Sequence, residues 1–137
     1  VTRLRREFAL FALGGLIGFV IDGGIAQGLV RLAGWNAYGA RAVSFLVAAT
    51  FTWWWSRHHT FADRESGRDS RSEWLHWIGL MLVGAAFNNG AYVLALHLFP
   101  ALHAWPAVAV AAGSVSGAAA NFLLARAVLF RTVKTTV

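Results

Sequence analysis

The chain has 137 residues, 58% apolar and 13% charged, with a mean hydropathy of +0.55, and a soluble domain of that length has too much surface to hide so many apolar side chains. A soluble enzyme with a separate catalytic domain is therefore excluded, and the absence of cysteine excludes disulfides and thiolate chemistry. The net charge of +6 would suggest nucleic acid in a soluble protein, but here the cations sit between and beside apolar runs, so no nucleic-acid partner is expected and the charge reads as membrane topology.

The first apolar segment runs from Phe8 to Val30, behind Arg3, Arg5 and Arg6. Its length makes it a retained span rather than a signal peptide. Gly14, Gly18 and Asp22 form one row at i, i+4, i+8. Asp22, about 21 Å along the helix from Phe8, is the only acid inside a span. A charge at that depth costs about 2.5 to 3.5 kcal/mol, so it must face protein or water and have a partner. Two roles fit: interhelical glue beside Gln27, Asn88 or Asn89, or a group on a transport path.

The second segment, Ala37 to Trp55, carries the row Ser44, Ala48, Thr52, Ser56 and is followed by Arg57, His58, His59 and Phe61. The hydrophilic stretch 62–73 reads as a wet linker whose Ser70, Ser72 and Glu73 cap the next helix. The third segment, Trp74 to Phe99, holds Gly84, Asn88 and Asn89; the fourth, Trp105 to Ala125, holds Gly113, Gly117 and Asn121, with Arg126 and Arg131 beyond it. The connections 31–36 and 100–104 are short enough to make each flanking pair a helical hairpin. The expected fold is thus all-α: a polytopic membrane protein of one domain over 1–137, with four transmembrane helices as two repeated hairpins, 8–61 and 74–130, joined by the loop 62–73.

Orientation follows from the cations. Arg3, Arg5, Arg6, Arg57, Arg64, Arg68, Arg71, Arg126, Arg131 and Lys134 lie on one side and only Arg31 and Arg41 on the other, which places both termini and the central loop in the cytoplasm. The seven tryptophans all fall near a span boundary, as indoles at headgroup level would: Trp35 and Trp105 outside, Trp53, Trp54, Trp55, Trp74 and Trp77 inside.

The hairpins also resemble each other. At an offset of 66, Gly18 falls on Gly84 and Asp22 on Asn88; at 69, Thr52 falls on Asn121, Arg57 on Arg126 and Phe61 on Phe130. Each unit crosses twice, so the copies run the same way about an axis along the membrane normal, with room for a path between them. Arg57 and Arg126, at the cytoplasmic ends of their helices, are suited to bidentate phosphate binding, and His58 and Arg131 add donors; the plainer role of each is a snorkelling positive-inside residue. Thr52 and Asn121 lie about 7.5 Å deeper on the same helices. The glycine rows are packing seams and candidate contact faces of a homo-oligomer. His97 and His103 have no further ligand beside them, so no metal site is expected. No cofactor or enzymatic motif is recognisable, and nothing positions a nucleophile.

FALGGLIGFVID in the first span, SRHHTF at the end of the first hairpin and NFLLARAVLF at the end of the second resemble the GtrA-like family of four-helix membrane proteins, over Phe8 to Phe130. The pattern Asn-Phe-x-x-x-Arg-x-x-x-Phe is kept as Asn121, Phe122, Arg126 and Phe130; in the first copy Arg57 and Phe61 remain, with Thr52 for Asn and Trp53 for Phe. The resemblance implies translocation of a polyprenyl-phosphate-linked monosaccharide across the cytoplasmic membrane for cell-surface polysaccharide or glycoconjugate synthesis. Under it Arg57, Arg126, His58 and Arg131 meet the phosphate, while Asp22, Asn88, Asn89, Asn121 and Thr52 meet sugar hydroxyls. Two alternatives are an exporter of cationic amphiphiles like the small multidrug resistance proteins, and a membrane adaptor for a glycosyltransferase. Against the exporter, Asp22 is flanked by glycines and isoleucine rather than an aromatic cage, and the basic rim repels cations.

Overall fold

A computed structural model describes residues 2–135, so Val1, Thr136 and Val137 of the expected domain lie outside the described residues. The helices are α1 (Thr2–Leu32), α2 (Ala37–Trp55), α3 (Ser70–Leu98) and α4 (Pro106–Leu124). Their boundaries have local causes. Gly34, with φ of +72°, lets the chain reverse after α1, where the Trp35 N–H donates to the Leu29 carbonyl at 3.0 Å. Asn36 caps α2 by accepting from the Gly39 N–H at 2.8 Å. Pro100 follows the end of α3, and Pro106 opens α4 at a position where no N–H is needed. The cap of α3 is Asp69, which accepts from the Ser72 N–H at 3.1 Å; the expected capping role of Ser70, Ser72 and Glu73 is corrected accordingly.

Three of these helices, Thr2–Leu32, Ser70–Leu98 and Pro106–Leu129 with its last turn, are long and apolar enough to cross a membrane. Helix α2 is shorter and carries Arg41, three tryptophans and several hydroxyls, so it owes its place to packing on α1. The protein is inside-out relative to a soluble bundle. Phe19, Val115 and Leu16 are 74%, 70% and 63% exposed, whereas the seams bury Gly14, Gly18, Ala40, Ser44 and Ala48 in one hairpin and Gly84, Ala109, Gly113 and Gly117 in the other. Without a hydrophobic drive between helices in lipid, close backbone approach through small residues holds each pair. Gly18 shows the need: a Cβ there would meet the Thr52 methyl at 2.6 Å, while at Gly84 it would fall on the Asn121 amide.

Both helices that end a hairpin finish in one π-helical turn, Ser56–Thr60 and Ala125–Leu129, closed by Phe61 N–H to Ser56 carbonyl and Phe130 N–H to Ala125 carbonyl, each 2.7 Å. These turns are equivalent at the 69 offset. Beyond them β1 (Arg64–Glu65) pairs antiparallel with β2 (Thr132–Val133), Arg64 opposite Val133, so the linker is partly ordered rather than simply wet. The main aromatic core sits at this end, where the termini lie, and joins Phe61, Trp77, Phe122, Ala125, Leu129 and Phe130. Trp77 is fully buried and donates to Thr52, Trp53 donates to Glu73, and Trp55 donates to the Leu10 carbonyl; these three tie helices together rather than sitting among headgroups.

Candidate functional site

Between the hairpins lies a cavity of about 220 Å³ to which all four helices contribute. Its walls are mostly apolar, from Phe11 and Phe19 on α1 to Trp77 and Met81 on α3, with Asp22, Thr52, Ser56 and Asn121 as the polar groups. The glycines explain its place: Gly14 and Gly18 bring α1 close onto Thr52 and Trp55 of α2, and Gly15 leaves one wall low, with nothing near where its Cβ would stand. Thr52 is occupied, donating to the Ala49 carbonyl and accepting from Trp77. Asp22 Oδ1 and Asn121 Oδ1 are buried and have no partner among the described residues. Buried acceptors are normally satisfied, so Asp22 Oδ1 marks a place for a hydrogen-bond donor, whereas Asn121 Oδ1 is packed against Gly84 in the α3–α4 seam.

Asp22 has the partner its depth demands. Its Oδ2 accepts from Arg41 Nη1 at 2.8 Å across the first hairpin. The sequence reading placed Asn88, Asn89 or Gln27 beside it; Asn88 instead packs in the α3–α4 seam against Gly113 and Gly117, and Asn89 is exposed. Of the five residues expected along a path, the structure gathers Asp22, Thr52 and Asn121 around one cavity and leaves Asn88 and Asn89 off it.

At the terminal end two of the four expected phosphate ligands, Arg57 and Arg126, meet carboxylates, while the His58 ring bonds the Trp54 carbonyl. Arg57 Nη1 donates to Glu73 Oε1 at 3.0 Å, and the same carboxylate accepts from Trp53 at 3.0 Å and from the Ser66 hydroxyl. Arg126 approaches Glu7 Oε1 at 3.5 Å, with its Nε otherwise unpartnered. Glu7, fully buried, is bound mainly by a two-pronged contact from Arg64, Nε to Oε2 at 2.7 Å and Nη2 to Oε1 at 3.2 Å. Glu7 and Glu73 correspond at the 66 offset, as Arg57 and Arg126 do at 69, so each hairpin's acid holds the other hairpin's arginine. Arg57 and His58 line a cleft of about 520 Å³ with Arg64, Arg68 and Lys134, facing Glu65 and Glu73. Arg126 and Arg131 do not line it, and Arg131 is exposed.

Sequence reasoning missed Glu7, Glu73, Arg64 and Arg41 as site residues. The signal for the two acids was present, since the offset that superposes Gly18 on Gly84 also superposes Glu7 on Glu73. No curated protein and no solved structure matches the sequence. A family model described as GtrA/DPMS, transmembrane domain, matches residues 10–135, which covers all four helices, both π turns and both strands bar the first turns of α1. With its duplicated, seam-packed hairpins accounted for over that whole span, the chain belongs to the GtrA/DPMS transmembrane family.

Proposed function

We propose that this protein moves a polyprenyl-phosphate-linked monosaccharide across the cytoplasmic membrane, with both termini in the cytoplasm. The observation that carries the reading is the cavity between the hairpins, where the unpartnered acceptor Asp22 Oδ1 suits a hydroxyl of a sugar head while the apolar outer faces suit a polyprenyl chain. The terminal cleft, with Arg57, His58, Arg64, Arg68 and Lys134, is the phosphate's cytoplasmic station. Arg126, held only by a long contact, is the less satisfied of the two repeat arginines, and Arg131 adds an exposed charge near it.

Movement requires no cofactor in this reading; consumption of the sugar lipid on the far side sets the direction. A homo-oligomer would complete the thin wall that four helices make, and a membrane glycosyltransferase is a fitting downstream partner. The cationic-exporter alternative is disfavoured by the Asp22–Arg41 bond, because a guanidinium already occupies the acid a cationic cargo would need.

The test is reconstitution in vesicles, following a labelled polyprenyl-phosphate sugar between leaflets. Protein-dependent movement that falls when Ala118, which lines the cavity, is replaced by Leu supports the reading. Movement no faster than in protein-free vesicles overturns it, and recruitment of a glycosyltransferase without lipid movement favours the adaptor.

A further inference from the structure

The two hairpins build the same seam twice. Ala40, Ser44 and Ala48 on α2 correspond at the 69 offset to Ala109, Gly113 and Gly117 on α4, and all are buried. Beside that seam the first hairpin carries Asp22 and Arg41, joined at 2.8 Å, where the second carries Asn88 and Val110. The second hairpin therefore closes without charge, and packing alone does not call for an ion pair. An ion pair with one partner mostly exposed adds little to stability. A pair present on one side only has another cause.

Its position supplies one. Asp22 lines the central cavity, and Arg41 lines a separate groove of about 370 Å³ between α1 and α2 at the hairpin-tip end. The ion pair thus stands between the two spaces. Arg31 and Gln27 line the same groove, so the two cations counted at the tip end converge on it, while ten lie at or toward the other end. The Arg41 side chain is 63% exposed and commits Nη1 to Asp22.

We propose that this groove is the receiving site for the lipid-borne phosphate on the tip-side face, with Arg41 its ligand, Arg31 and Gln27 supporting donors, and Asp22 a positioning residue that holds Arg41 until phosphate takes its place. This rests on the translocation reading above and gives that path its far end. The chemistry is an exchange of like for like, because a guanidinium fork fits a carboxylate and a phosphate in the same way. When Arg41 turns to the phosphate, both Asp22 oxygens are left toward the cavity and accept from the sugar hydroxyls that follow.

The second hairpin provides the control. The double variant Asp22→Asn/Arg41→Val writes the second hairpin's pair into the first and is expected to melt at the wild-type temperature. A photoreactive short-chain polyprenyl phosphate in neutral-lipid nanodiscs should label the segment 26–41 in wild type and in Asp22→Asn. Labelling should fall about tenfold in Arg41→Gln, in line with losing a charged bidentate partner, and equally in the double variant. Vesicle translocation should fall with it. The inference is overturned if 26–41 is not labelled, if the double variant labels and transports like wild type, or if phosphatidylglycerol competes as well as the polyprenyl phosphate, which would make Arg31 and Arg41 ordinary headgroup anchors. If 26–41 is labelled in an Arg41-dependent way but wild type moves no sugar lipid, the receiving site stands and the translocation reading alone fails.

Discussion

The rings of Phe61 and Phe130 stack 5.2 Å apart and 19° from parallel, and the two residues are the same position of the repeat, 69 apart. Their backbone N–H groups close the two π turns, so the contact joins the ends of both hairpins at the pseudo-two-fold. Both rings are essentially fully buried, and Trp77 and Phe122 pack against the pair. Replacing either Phe by Ala should cost about 3 to 5 kcal/mol, as for other buried aromatics. Melting in detergent should drop similarly for Phe61→Ala and Phe130→Ala, and by less than the sum in the double variant because they share one contact.

Glu7 and Glu73 are equivalent in sequence but not in consequence. Glu7→Gln leaves Arg64, whose side chain is only 8% exposed, buried without its counter-ion, and should cost about 3 to 5 kcal/mol. Glu73→Gln frees Arg57, which is 36% exposed and can turn to water, and should cost less. Detergent melts of the two variants test the order, and Glu7→Gln/Arg64→Met should recover part of the loss by removing the stranded charge.

The glycines of the seams separate from those with open space beside them. Gly84→Ala puts a methyl on the Asn121 amide, and Gly117→Ala brings one to 2.8 Å from the Gly84 carbonyl, whereas at Gly15 nothing lies within 4 Å. The first two should lower stability by about 1 to 3 kcal/mol, and Gly15→Ala should leave melting unchanged or slightly raise it. Yield of monodisperse protein after extraction would show the same ranking.

Thr52 links the cavity to the core, accepting from Trp77 at 3.3 Å. Thr52→Val keeps the shape but strands the indole N–H, so stability should fall by about 1 to 3 kcal/mol through an unmet donor. Thr52→Ser keeps the acceptor and removes the methyl that packs on Gly18, and should melt nearer wild type. Calorimetry or intrinsic tryptophan fluorescence on heating reads both.

Hydropathy alone drew α2 at Ala37–Trp55, as observed, because Asn36 and the change to polar residues at Ser56 bound it chemically. It stopped short on α1 and α3, whose first turns, Thr2 to Glu7 and Ser70 to Glu73, are polar yet helical. That is why Glu7 was missed: it precedes Phe8, where the apolar run begins. Trp77 was read as interfacial because depth along a helix does not distinguish a residue turned to lipid from one turned to its neighbours. Two-residue strands are too short for any periodicity to reveal. Arg41 was visible as a charge, but its pairing with Asp22 depends on the register of two antiparallel helices, which composition does not encode.

The exchange of acids and arginines at the base has a consequence for the halves taken singly. The first hairpin on its own keeps Glu7 with Arg64 but loses the carboxylate on Arg57, and the second leaves Arg126 without Glu7 and Glu73 without Arg57, so each is unfinished in a way that the other remedies. Severing the backbone at Gly67 should leave two fragments that find each other in the bilayer, since what binds them is reciprocal rather than covalent. One polypeptide here does the work of an obligate pair.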